Sequence, residues 1–95
     1  FVLRVSGTSM NQYEVGGKTL DNGSYVLIKK QSESPNEKDA YLFNVDGGAT
    51  LKKYKKSGKQ IYLLPESSEE HHTPIILSEY DEVQSNGKIV DVFNF

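Results

Sequence analysis

A chain of 95 residues is long enough for one domain and too short for two. Its 36% hydrophobic and 25% charged residues are ordinary for a soluble globular protein, and a formal charge of −2 excludes a strongly basic nucleic-acid footprint. The lack of cysteine excludes disulfides and thiolate metal sites, and no apolar run is long enough to span a membrane as a helix.

Short strands separated by turn signals run from end to end, which predicts a mainly β fold. Residues 1–5 form the first strand, opening on Phe1-Val2-Leu3 with no initiating methionine, so the chain reads as a piece of a longer parent. Residues 6–9 are a small-residue turn, and residues 10–15 have room for one helical turn. A second strand covers 24–30, and the polar segment 31–38 with Pro35 is a surface loop. Strands at 39–45 and 49–54 flank Asp46-Gly47-Gly48, a hairpin connection. Ser57-Gly58 turns the chain into 60–64, a polar loop follows over 65–74, and 74–77 is a short strand. Asn86-Gly87 starts the last strand, 88–93. Nowhere does apolar spacing of 3.6 persist for three turns, so long helices are not expected.

The chemistry is sought first in serine, which is a weak nucleophile until a base takes its proton. His71 and His72 are adjacent in the loop SSEEHHTP and read as an exposed pair. They suggest neither a Ser–His–Asp triad nor a metal site, since no further ligand pattern accompanies them. Lysine serves as a base only when neutral, and at its ordinary pKa roughly one in a few thousand is neutral at pH 7. Burial in an apolar site makes the free amine common. A catalytic lysine therefore belongs inside a strand. Lys52 and Lys53 both sit in one and point to opposite faces, and periodicity does not choose between them. Lys55, Lys56 and Lys59 lie near turns and are solvated. Ser9 follows a strand, a glycine and a tight turn, a setting that exposes a hydroxyl beside backbone N–H groups. Gly7-Thr8-Ser9-Met10 is not the G-x-S-x-G elbow, because position 11 is asparagine. Asn22-Gly23-Ser24 fits the glycosylation pattern but reads as a turn, and the basic run at 52–56 is offset by Glu66, Glu69 and Glu70.

Five segments in order carry a resemblance: FVLRVSGTSM at 1–10, NGSYVLIKK at 22–30, DGGATLKKY at 46–54, LLPESSEEHHTP at 63–74 and GKIVDV at 87–92. Together they resemble the self-cleaving serine–lysine peptidase domain of LexA-like and prophage repressors. The linker 11–21, with Gly16-Gly17, is longer than that pattern, and the loop 65–74 is slightly extended. The resemblance implies a small β-rich signal-peptidase-type fold of short antiparallel strands, filling residues 1–95 as a single domain. It implies Ser9 as nucleophile and Lys52 as general base, with the Thr8 and Ser9 amides as oxyanion donors. No cofactor and no metal are implied.

For the parent, the resemblance implies an N-terminal helix-turn-helix domain on operator DNA, self-cleavage of the interdomain linker in the SOS response, stimulation by RecA filaments and a homodimer. A cytoplasmic location and no membrane contact are expected. A type I signal peptidase, a UmuD-like accessory subunit and an inactive dimerisation module are the neighbouring alternatives. A signal peptidase usually has proline soon after Ser-Met, whereas Asn11-Gln12-Tyr13 stands here. With only residues 1–8 ahead of Ser9, read as a core strand, this piece is not expected to cleave itself. Its final segment, 88–95, is expected to be an exposed pairing edge.

Overall fold

The computed structural model describes residues 1–31, 34–78 and 84–94. Part of the loop expected over 31–38, namely Ser32 and Glu33, lies outside the described residues, as does Phe95 of the expected terminal edge.

The described chain is all strand: β1 (Val2–Arg4), β2 (Glu14–Val15), β3 (Lys18–Thr19), β4 (Tyr25–Lys29), β5 (Ala40–Val45), β6 (Gly48–Ser57), β7 (Gln60–Leu64), β8 (Ile75–Ser78) and β9 (Gln84–Phe93). Seven of them form one antiparallel sheet in the order β1-β4-β9-β5-β6-β7-β8, and β2 pairs with β3 apart from it. Among the described residues no helix is long and apolar enough to cross a membrane.

The middle of the sheet is a run of hairpins whose turns have the right chemistry. Asp46 and Gly47 join β5 to β6 with φ of 49° and 80°. Two successive positive φ values make the turn whose twist matches that of paired strands, and Asp-Gly is among its preferred sequences. Gly16-Gly17 does the same between β2 and β3, with φ of 59° and 80°. The long linker therefore contains a small hairpin. The room for a helical turn after Ser9 is taken instead by two successive reverse turns, Asn11 N–H to Thr8 O and Tyr13 N–H to Met10 O.

β5 is covered on both faces. Ala40 and Leu42 pack with Val5, Met10, Leu20, Val26, Ile28, Ile89 and Val92. Tyr41 and Phe43 pack on the other side with Ile61 and Leu63. Each of the valine, leucine, isoleucine, methionine and phenylalanine side chains among them, fully buried, stabilises the fold by about 1.5–3 kcal/mol. Alternation along one strand thus serves two cores and places β5 at the centre of the molecule.

Two expectations about the ends are corrected. Residues 1–5 do not form a core strand: β1 is at the sheet edge, with Phe1 and Val2 more than half exposed and only Leu3 of the strand half-buried. Nor is the last strand a free edge along its length. β9 begins at Gln84, ahead of Asn86-Gly87, and lies between β4 and β5. Its ladder with β5 ends at Lys88, however, so from Ile89 to Phe93 it pairs with β4 alone.

Candidate active site

The turn after β1 is held from two sides. Gly7 has φ of 93°, in the left-handed region, and its N–H donates to Asn22 Oδ1 at 2.9 Å. Asn22-Gly23-Ser24 is a turn, as its sequence suggested: the Gly23 N–H donates to Val5 O and the Val5 N–H to Ser24 O. From the other side the 65–74 loop clasps the segment around Ser9. The Glu66 N–H donates to Ser9 O, the Gln12 N–H to Glu66 O and the Ser68 N–H to Asn11 Oδ1. Met10, nearly fully buried, anchors the segment in the core.

Ser9 is thereby presented to β6. Lys52 Nζ lies 2.8 Å from Ser9 Oγ. It also donates to Thr50 Oγ1 at 2.8 Å and to Leu51 O at 3.1 Å. The register sets Lys52 opposite Tyr41 and Lys53 opposite Ala40, so the two lysines leave the strand on opposite faces. Lys52 is 8% exposed. Lys53 is partly exposed and forms an ion pair with Glu66 at 3.5 Å. The neighbouring lysines 55, 56 and 59 are exposed.

Burial holds the Lys52 amine below the ordinary lysine range, and no charge–charge attraction opposes it. Loss of hydration penalises the ammonium form and leaves the neutral amine untouched. Lys52 Nζ donates to Ser9 Oγ, Thr50 Oγ1 and Leu51 O. A neutral amine has two N–H bonds and one lone pair, so it keeps two of these donations and turns its lone pair to the third group.

The cleft beside this pair has a volume of about 190 Å³, and Leu3, Val5, Met10, Leu42 and Leu51 contribute its apolar lining. Among the described residues the Thr8 and Ser9 amides donate to no protein acceptor. The Thr8 side chain is engaged elsewhere: its Oγ1 donates to Glu69 Oε2 at 2.7 Å and lies 2.8 Å from His72 Nε2.

Sequence reasoning missed two features. Thr50 precedes Lys52 by two residues on a strand, so period-two alternation already puts the hydroxyl on the lysine's face. Glu69 lies within ion-pair distance of both His71 and His72, supplying the third group that spacing alone did not assign to the histidines. Hydrogen bonding from Thr8, then attraction from both imidazoles, hold the Glu69 carboxyl below the usual range.

Residues 1–90 match the family described as Peptidase S24-like. The LexA repressor of Lactobacillus delbrueckii subsp. bulgaricus is 37% identical over 93 residues, which covers 98% of this chain and 40% of that protein. The LexA repressor of Thermosipho africanus is 38% identical over 92 residues, covering 97% and 42%. That of Geobacter metallireducens is 39% identical over 94 residues, covering 98% and 43%. The chain thus spans about two fifths of the length of the curated relatives it matches. With relatedness along its whole length, this chain belongs to the Peptidase S24-like family and is a LexA-like peptidase domain.

Proposed function

We propose that this domain is the self-cleaving serine peptidase of a LexA-type or prophage repressor, and that Ser9 and Lys52 are its catalytic dyad. The observation that carries the reading is the 2.8 Å contact between Ser9 Oγ and a buried lysine amine. Neutral Lys52 takes the Ser9 proton as Oγ attacks a peptide carbonyl, and the carbonyl electron pair moves onto oxygen. The Thr8 and Ser9 amides hold that oxyanion. Collapse breaks the C–N bond, and the Lys52 ammonium returns its proton to the leaving amine. Water then hydrolyses the acyl ester, with Lys52 again the base.

In the parent, the cleaved bond lies in a linker between this domain and an N-terminal helix-turn-helix domain. Operator binding belongs to that domain, since this one has a formal charge of −2. Cleavage separates the two and relieves repression in the cytoplasm as part of the SOS response, with RecA filaments as co-protease. The domain also dimerises. Among the described residues Ile89 to Phe93 has a ladder partner only in β4. The β2–β3 hairpin lies against it through the Lys18–Asp91 ion pair, while Val90 and Phe93 stay partly exposed. This segment is where we place a two-fold pairing with its copy. Sedimentation at rising concentration is expected to show a dimer; a strict monomer at high micromolar concentration removes that part of the reading.

The test of self-cleavage uses the parent chain purified with its linker. Incubation is expected to yield two pieces at a rate independent of protein concentration, and Ser9→Ala is expected to remain whole. Cleavage of the Ser9→Ala chain at the wild-type rate would overturn the proposal.

A further inference from the structure

A second cluster of functional groups stands on the far side of Thr8 from the dyad. His71, His72 and Glu69 each offer one ligand atom, and these atoms all lie within 4.8 Å of one another. His72 Nε2 is 3.4 Å from Glu69 Oε2 and His71 Nε2 is 3.6 Å from the same oxygen. Both separations exceed the N–H···O hydrogen-bond range of about 2.7–3.2 Å. They match a different geometry. Zinc ligands at about 2.0–2.1 Å in a tetrahedron are separated from one another by roughly 3.3–3.4 Å. The two Glu69–histidine separations are close to that spacing, the two histidine ligand atoms lie within 4.8 Å of one another, and side-chain rotation would bring the three atoms onto one cation.

The chemistry of the donors agrees. Two imidazoles and a carboxylate suit zinc and its neighbours, and three protein ligands leave a fourth position for water. The loop that carries all three groups is pinned at Glu66 and Ser68 to the nucleophile segment, which limits the ordering cost of binding.

We propose that Glu69, His71 and His72 form a binding site for a divalent transition-metal ion of the Zn²⁺ class. This goes beyond self-cleavage and stands independently of it. The site is coupled to the cleft through Thr8. The Thr8 hydroxyl gives its one proton to Glu69, so it accepts from His72 in the tautomer that carries the ring N–H at Nε2. A metal ion needs that nitrogen's lone pair. Metal loading therefore removes the His72 N–H donor and frees one side of Thr8, the residue next to the nucleophile.

Titration of the chain with Zn²⁺, followed by calorimetry and by ¹H–¹⁵N NMR, tests this. One ion is expected to bind per chain, shifting both histidine ring nitrogens and the Thr8 amide. Glu69→Gln and His72→Ala are each expected to weaken binding at least about tenfold. His71→Ala, at the most exposed of the three positions, provides a ligand-loss variant with the least risk to the fold and is expected to weaken binding by a similar factor. Absence of saturable binding below millimolar Zn²⁺ would overturn the site. So would unchanged affinity in Glu69→Gln, which would reduce it to adventitious chelation by the histidine pair.

Discussion

Lys52→Ala is expected to slow self-cleavage of the parent chain at least about 10³-fold at pH 7, equivalent to about 4 kcal/mol of transition-state stabilisation. The fold should survive, because Lys52 lies at the cleft and outside both clusters of apolar side chains. Lys52→Arg is expected to be nearly as inactive, since a guanidinium keeps its proton at any working pH and cannot serve as a base. The wild-type rate is expected to rise with pH and level off above the lowered pKa of Lys52, as the neutral amine accumulates. A pH-independent rate, or an active arginine variant, would exclude the lysine base.

The same group leaves a mark on stability. Its folded pKa is lowered, so between that value and the ordinary lysine value the unfolded chain binds more protons than the folded one. Wild-type stability should therefore rise with pH through that window. Lys52→Met lacks this dependence, and its stability advantage in urea should be largest below the folded pKa and shrink as pH rises toward the ordinary value. Parallel urea midpoints for the two proteins across that range would contradict the linkage.

Gly87→Ala is expected to lower stability by at least about 2 kcal/mol, and the melting temperature by roughly 10 °C or more. Gly87 has φ of 144°, and a Cβ there would lie 2.6 Å from Ile28 Cγ2 and 2.8 Å from the Lys29 carbonyl oxygen. Ile28 is a core side chain, and Lys29 contributes backbone, so neither yields easily. The close approach lies at the irregular registers where β9 passes between β4 and β5. Gly58→Ala is the control. Its φ is 58° in a hairpin turn, with nothing within 4 Å of an added Cβ, so its cost is left-handed strain alone, about 1 kcal/mol. Thermal melts of the two variants decide the matter: equal losses would mean that packing against Ile28 and Lys29 contributes nothing.

The hairpins were legible because turn chemistry is local. Asp46-Gly47 and Ser57-Gly58 announce reversals through the backbone angles they tolerate, and the strands beside them fall within a few residues of their expected positions. Gly16-Gly17 sent the same signal, but β2 and β3 have two residues each, too few to show alternation. Lys52 and Lys53 were legible as a pair on opposite faces of one strand.

Periodicity left the choice between the two lysines open and the family resemblance named Lys52; only tertiary structure brings its amine to Ser9, across 43 positions of chain. Tertiary structure also decided that β9 runs between β4 and β5, that β1 is an edge, and that Thr8 meets Glu69 and His72 more than 60 positions away. The physical reason is the same in each case. A turn depends on the φ and ψ preferences of one or two residues, whereas sheet order and the contents of a cleft depend on burying apolar faces supplied by strands far apart in the chain.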